Sequence, residues 1–254
     1  MIASERRLFI LQAINDKGVI NLKDIARALQ TSEATVRRDL EKLEGEGKLV
    51  RVQGGATVQA GAESLISSVK LTMNTKAGIR HAEKAAVAKA AAAQVQDGES
   101  VFLDCGTSIA PVADWLLPRP VRIVTYSTLV LKRPGPKNNV ILVGGEYSES
   151  HGMLTGALAE QMLKQFHFDH AFIGCYGVSL SEGKCFQRDV ASTNMKRIGI
   201  AKSSQSYLLL DDSKLEKHGL FSFAQMSDFD RVFCNVPEGE ELPEEQENLY
   251  WVTL

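Results

Sequence analysis

Residues 37–56 read RRDLEKLEGEGKLVRVQGGA. Two adjacent arginines open the stretch. Leu40 and Leu43 then mark one side of a helix, and Gly45 and Gly47 end it. KLVRVQGGATV, continuing past the end of the stretch, alternates like a pair of strands pinched at Gly54-Gly55. A charged helix followed at once by a glycine-turned hairpin is a specific combination, and the residues before it sharpen the reading.

Residues 4–16 carry a helical pattern, with Leu8, Leu11 and Ile14 on one face and Ile10 and Ala13 widening it. Gly18 is expected to end that helix. Asn21 is a good N-cap for a second helix bearing Leu22, Ile25 and Leu29 on one side. QTS makes a tight turn, and Ser32 caps a third helix whose buried stripe is Val36, Leu40 and Leu43. Three short helices and a small hairpin give the order of a winged helix-turn-helix, predicted for residues 1–58.

The helical period places the third helix's side chains. With Val36 taken as the inward direction, Arg38 lies at about 200° and Ala34 at about 160°, with Thr35 and Arg37 flanking them. Arg38 therefore faces away from the core on the first turns of an exposed helix, the part that enters a major groove. An arginine there pairs with guanine O6 and N7, and Ala34 or Thr35 touches a thymine methyl. Arg37 leans to the side, where a phosphate lies. Arg51 sits on the wing strand, and Gly54-Gly55 is expected to bring backbone N–H groups near a phosphate or the minor groove. The candidate DNA-contacting set is Ser32, Ala34, Thr35, Arg37, Arg38, Arg51, Gln53, Gly54 and Gly55.

The whole chain of 254 residues carries a net charge of −2, which excludes a globally basic nucleic-acid binder but not a local one. Residues 1–58 hold 10 Lys/Arg against 8 Asp/Glu, and the remainder 19 against 23, a small asymmetry in the right direction. The four cysteines, Cys105, Cys175, Cys185 and Cys234, form no C-x-x-C and have no histidine at ligand spacing. They read as thiols in a reducing cytoplasm, with no structural metal and no cofactor. MIASERR lacks an apolar signal core, and no apolar run approaches membrane-spanning length, so a cytoplasmic location and no membrane partner are expected.

Residues 59–80 are polar, rich in small residues and weakly patterned, which predicts a linker. From residue 81 apolar strands alternate with helices, which predicts a mostly parallel α/β domain over 81–254. AEKAAVAKAAAAQV is a scaffold helix by propensity, and TSIAPVADWL is expected to be a helix behind the strand in ESVFLDCG. In such sheets ligands bind beyond the carboxyl ends of the strands. Five strand ends here are polar or glycine-rich: Asp104-Cys105-Gly106-Thr107-Ser108, Thr125 with Ser127, Gly144-Gly145-Glu146, Gly174-Cys175-Tyr176-Gly177 and Asp211-Asp212-Ser213-Lys214. Together they predict a pocket for a small, polar, phosphorylated ligand. The first loop is expected to meet the anion at a helix N-terminus, and Lys214 to neutralise a phosphate or bond a hydroxyl.

Thr35-Val36-Arg37-Arg38-Asp39-Leu40, then Leu43, Gly47, Arg51 and Gly54-Gly55, resemble the DNA-binding domain of the DeoR family of bacterial repressors of sugar metabolism. The five strand-end segments resemble the family's D-x-G-T-T, T-N-S, G-G, G-A-D-G and D-S-S-K motifs, so the resemblance covers nearly the whole chain. It implies an effector domain similar to ribose-5-phosphate isomerase and CoA-transferring enzymes. It also implies a sugar phosphate or similar metabolite that releases the repressor from its operator. The implied effector residues are Asp104, Gly106, Thr107, Ser108, Thr125, Ser127, Gly144, Gly145, Cys175, Tyr176, Asp211 and Lys214. This chain departs from the family pattern at Gln53, where a histidine is usual, at Tyr126 for asparagine and at Tyr176 for aspartate. Ala191, Ser192 and Thr193 also stand where an acidic cluster is usual, with Asp189 the nearest acid. Carboxylates commonly hold sugar hydroxyls, so these departures imply a different ligand or a changed pose.

The alternative function is a sugar-phosphate isomerase or CoA-transferase-like enzyme with an added N-terminal domain. Isomerisation needs a carboxylate base over a substrate carbon. The changes at 176 and 191–193 argue against it, although Asp104, Glu146 or Asp211 could serve. A DNA-binding protein whose second domain only assembles oligomers is a third possibility. One recognition helix makes too few base contacts for a specific operator, so a homodimer or homotetramer on double-stranded DNA is expected.

Overall fold

The computed structural model describes residues 2–17, 19–57, 80–237, 239 and 248–254. Gly18 and the predicted linker, Arg80 excepted, lie outside the described residues. The chain divides into two compact units, Met1–Arg80 and His81–Leu254.

In the first unit the order is α1 (Ala3–Lys17), β1 (Val19–Asn21), α2 (Leu22–Ala28), α3 (Glu33–Gly45), β2 (Val50–Val52) and β3 (Gly55–Thr57). Asn21 caps α2 by accepting the Lys23 N–H at 2.8 Å, and Ser32 caps α3 by accepting the Thr35 N–H at 3.2 Å. Ile10, Ile14, Leu22, Ile25, Val36, Leu40 and Leu43 close one core, as their spacing requires. The hairpin carries a third strand that the sequence did not suggest: β1 pairs antiparallel with β3, giving the order β1-β3-β2. Three residues are too few for alternation to show. The pairing appears only when the hairpin folds back on the start of α2, where the Leu22 N–H donates to the Gly54 carbonyl at 2.8 Å.

The second unit runs α4 (His81–Ala92), β4 (Ser100–Leu103), α5 (Val112–Leu116), β5 (Arg122–Thr125), α6 (Thr128–Leu131), β6 (Val140–Leu142), β7 (Glu146–Ser148), β8 (Met153–Thr155), α7 (Ala157–Leu163) and β9 (Phe168–Gly174). It continues with β10 (Gly177–Ser179), β11 (Lys184–Gln187), α8 (Val190–Ala201), β12 (Ser203–Leu210), β13 (Phe221–Gln225), β14 (Arg231–Asn235) and β15 (Leu249–Val252). Seven strands form one parallel sheet in the order β15-β14-β12-β9-β4-β5-β6. The small antiparallel sheet β10-β11-β13 and the hairpin β7-β8 are additions. One face of the large sheet buries Phe102, Val124, Tyr126, Ile173 and Met195; the other buries Val101, Leu103, Ile123 and Phe172 with Val87 and Ala91 of α4. The chain proceeds outward from β4 to β6, then returns to place β9 on the other side of β4. The sheet therefore changes winding direction between β4 and β9, where the carboxyl ends of the strands leave a crevice in doubly wound folds.

One expectation is corrected. TSIAPVADWL does not form a helix from its start: residues 107–111 are turns, and only Val112–Leu116 is α-helical. The Ile109 and Ala110 N–H groups both turn back to the Gly106 carbonyl, at 3.0 and 3.1 Å. Residues 104–106 thus lead into a turn, in which Thr107 and Ser108 lie, and not into a helix N-terminus, so the helix-dipole contribution expected there is not built.

Candidate functional site

On α3 the surface matches the helical projection. Ala34, Arg37 and Arg38 are exposed, Thr35 is half-buried, and Val36 is fully buried. The next residue, Asp39, is buried and accepts the Arg6 Nε–H of α1 at 2.7 Å, with Arg7 Nη1 at 3.7 Å. This strut ties α1 to α3 and fixes the helix's rotation, so Arg38 is held outward. Ser32 and Thr35 share a hydroxyl contact of 2.9 Å at the cap. Their oxygens organise the first turn as well as facing solvent.

The wing assigns other tasks to two of its expected contacts. Arg51 pairs with Ala56, whose side chain is buried in the core, so strand alternation turns Arg51 toward α3. There its guanidinium bonds Glu44 Oε2 and Glu41 Oε1, each at 2.8 Å, and its backbone N–H bonds Glu44 Oε1 at 2.9 Å. The backbone and side-chain bonds from Arg51 hold the Glu44 carboxyl below its ordinary range. Gly55 is buried between β1 and β2, and a Cβ there would stand 1.8 Å from the Ile20 carbonyl oxygen. Its role is to let β3 approach β1. Gly54 supplies the left-handed turn, with φ +81°, and Gln53 is exposed beside it.

At the carboxyl ends of β4 and β9, Asp104 is fully buried. Its position follows from the strand period. Phe102 and Asp104 share one face of β4, and Val124 and Tyr126 share the same face of the neighbouring β5. Tyr126 stacks beside Phe102, with centroids 6.0 Å apart, and its hydroxyl donates to Asp104 Oδ1. Gly174, at the end of β9, donates its N–H to Oδ2 at 2.9 Å. Lys196 of α8 donates to the same oxygen. Gly199 sets this last contact: a Cβ there would lie 2.3 Å from the Phe102 ring, so only glycine lets α8 lie so close. Lys196, one turn earlier, then falls over Asp104.

The electrostatics are those of a dry, compensated cluster. Burial works against the Lys196 ammonium, yet the adjacent Asp104 outweighs it and moves the ammonium's pKa up. Burial, reinforced by Asp104, pushes the Tyr126 phenol well above its ordinary value. The same two causes push the Cys105 thiol up to about 12. Such thiols stay protonated and act as packing.

The remaining expected residues divide into two groups. Thr125 bonds the Leu103 carbonyl at 2.7 Å, and Ser127 caps α6 by accepting the Leu129 N–H at 3.2 Å; both are fully buried. Gly145 is a packing glycine, since a Cβ would lie 2.5 Å from the Thr155 carbonyl oxygen. Asp211 accepts the Ser213 hydroxyl. Gly106, Thr107, Gly144, Cys175, Tyr176 and Lys214 are half-buried, with Ser108 just below them in exposure. Arg188 lies over the Tyr176 ring at 4.0 Å and donates to its hydroxyl, and the Lys214 ammonium stands 5.9 Å from the same ring. The surrounding protein desolvates the Cys175 thiol and pushes it up to about 12, against the pull of Lys214 and Lys196.

Lys196, Arg188 and Asn235 were missing from the expected set. Asn235, fully buried at the end of β14, donates to Asp212 Oδ1 at 2.8 Å and accepts the Asp212 N–H at 3.0 Å, holding the Lys214 turn. Lys196 was legible in part, because Ser192, Lys196 and Gly199 form one stripe at spacings of four and three, and a lysine inside such a stripe needs a buried acid.

A family model for the DeoR-like helix-turn-helix domain matches residues 6–60, and one for the DeoR C terminal sensor domain matches residues 79–235. This chain belongs to the DeoR family. It is a DNA-binding transcriptional regulator with a sensor domain. Among relatives, it is 28% identical over 242 residues to a lactose phosphotransferase system repressor of Staphylococcus aureus (strain NCTC 8325 / PS 47), covering 94% of each chain. The same figures hold for a lactose phosphotransferase system repressor of Streptococcus mutans serotype c. Among solved structures, ribose 5-phosphate isomerase A of Methanocaldococcus jannaschii aligns with a TM-score of 0.38 at 20% identity, covering 52% of this chain and 53% of that one. No helix among the described residues is long and apolar enough to cross a membrane.

Proposed function

We propose that this DeoR-family chain represses a sugar-catabolism operon in the cytoplasm and leaves its operator when a phosphorylated sugar or similar metabolite binds the sensor domain. The observation that carries the DNA half is the outward Arg38, held by the buried Asp39–Arg6 strut on a capped helix. Arg38, Ala34 and Thr35 read base edges, Arg37 and Gln53 meet the backbone or groove, and Ser32 sets the helix start. Arg51, Gly54 and Gly55 shape the wing. A homodimer or homotetramer supplies the paired half-sites that specific recognition needs. The repressors named among the relatives support the regulated process.

The effector site we assign is the rim around Gly106, Thr107, Ser108, Gly144, Cys175, Tyr176 and Lys214, above the Asp104–Lys196 pair. The same pair argues against the enzyme reading. Asp104, the best-placed base, already accepts from Tyr126, Gly174 and Lys196, leaving little capacity to take a substrate proton. The test is a gel shift on DNA upstream of the chain's own and neighbouring genes, at fixed salt, with a panel of sugar phosphates. Release of a specific complex by one compound is the expected result. Binding that no compound releases removes the effector half, and no specific complex removes the DNA half.

A further inference from the structure

Ala34, Arg37, Arg38 and Glu41 are spaced i, i+3, i+4 and i+7 on α3, and all four are exposed. Measured from the buried Val36, they span about 100° to 200° of the helix, with Arg37 at one edge and Glu41 at about 140°. Four positions at this spacing make one stripe, the spacing at which a homeodomain helix in the major groove reads base edges. Glu41 therefore shares the outward stripe with Arg38, one turn further along the helix.

A carboxylate on a face that meets DNA is repelled by the phosphates unless a cation offsets it. Arg51 does so here, donating its Nη1–H to Glu41 Oε1 at 2.8 Å. Arg51 is itself anchored on Glu44 by its backbone N–H at 2.9 Å and its Nε–H at 2.8 Å. Half of the Glu41 side chain stays exposed, and its Oε2 accepts no hydrogen bond among the described residues. One oxygen is thus held by the wing, and the other is open on the reading stripe.

We propose that Glu41 reads a base of the operator, its Oε2 accepting the N4 amino group of a cytosine, with Arg51 as its positioning residue. This rests on the reading of α3 as the recognition face. The chemistry selects cytosine, whose major-groove edge offers a donor alone. Adenine sets the N7 acceptor beside its N6 amino group, and guanine and thymine present acceptors that repel a carboxylate. Three residues advance the helix by about 4.5 Å, so the cytosine lies about one or two base pairs from the guanine read by Arg38.

The experiment is selection of bound duplexes from a randomised pool by the full chain, native and variant, at fixed salt. Affinities are then measured for the selected operator with each base in turn at the positions that change. Glu41→Ala is expected to lose a cytosine preference of about tenfold at one position per half-site, the worth of one charge-assisted bond. Its affinity for non-specific DNA is expected to be no lower than native, since a negative charge leaves the face. A merely structural Glu41 lowers affinity for all duplexes alike and leaves the base profile native, and that outcome overturns the inference. Glu41→Gln is expected to turn the same position toward adenine, whose N6 and N7 match a glutamine amide. Retention of cytosine there overturns the assignment. Arg51→Ala keeps the carboxylate and removes its tether, so the cytosine preference is expected to fall by about threefold. An unchanged preference overturns the positioning role. Arg38→Ala, run alongside, separates this inference from the reading beneath it. If it alters a neighbouring guanine while Glu41→Ala alters nothing, only the role of Glu41 falls. If neither alters any position, the recognition face on α3 falls as well.

Discussion

Asp39 in the first unit and Asp104 in the second are each buried against a cation, and the two arrangements differ in what they leave accessible. Asp39 meets Arg6 and Arg7, whose side chains remain 17% and 21% exposed. Asp104 meets Lys196 in a pair that is fully enclosed and also receives Tyr126 and Gly174. The first pair is a strut at the edge of a small core. It fixes a helix so that the neighbouring Arg38 reaches outward, and water can still reach its cations. The second is enclosed by the protein on every side, so solvent does not reach either member of the pair. The same attraction orients a helix face in one unit and locks the interior between sheet and helix in the other.

The largest expected effect comes from breaking the enclosed pair. Lys196→Ala leaves the Asp104 charge buried and unpaired, and the sensor unit is expected to lose about 3–5 kcal/mol in urea denaturation. Asp104→Asn combined with Lys196→Met is expected to recover most of that loss, since no charge is then stranded. Recovery of none would place the cost in packing instead of charge.

Gly55→Ala probes the small unit without touching charge. The added Cβ meets the Ile20 carbonyl oxygen, so β1 and β3 must separate. A loss of about 1–3 kcal/mol in the unfolding of the DNA-binding unit is expected, with sensor unfolding unchanged.

Arg38→Ala is expected to weaken operator affinity at fixed salt by about tenfold to a hundredfold, the worth of one bidentate base contact, with an unchanged melting curve. Native affinity after this change would show that the outward face of α3 is not the reading face. Asp39→Asn is expected to cost about 1 kcal/mol of stability, less than breaking the enclosed pair, because solvent can hydrate Arg6 and Arg7.

The smallest effect is expected at Arg51. If it is held by Glu41 and Glu44, Arg51→Ala weakens operator binding by less than about fivefold, the worth of an exposed ion pair. It also leaves the slope of log affinity against log salt unchanged. If Arg51 grips a phosphate, that slope falls by about 0.9.

The helices of the small unit were legible because their signals are local. Asn21 and Ser32 cap with their own side chains, and Val36, Leu40 and Leu43 repeat within four residues. Arg38 could be placed by counting turns. The strands of the large unit were legible as apolar runs. The occupation of their polar ends was not legible. Thr125, Ser127 and Asp211 look like ligand residues in a list of motifs, but Thr125 bonds the neighbouring strand at Leu103, and Ser127 and Asp211 bond their own loops. Arg51 looks like a phosphate contact until the register of β2 against β3 turns it toward Glu44.

The sequence by itself determined a winged helix-turn-helix ahead of a parallel α/β domain, the exposed arginine face and the membership of one family, because periodicity, caps and motifs act over a few residues. Only the tertiary structure decided which polar groups remain available to a partner. A carboxylate's capacity depends on which donors the fold brings to it. For Asp104 those donors come from positions 126, 174 and 196, joined by strand register and by one glycine that lets a helix lie against a phenyl ring.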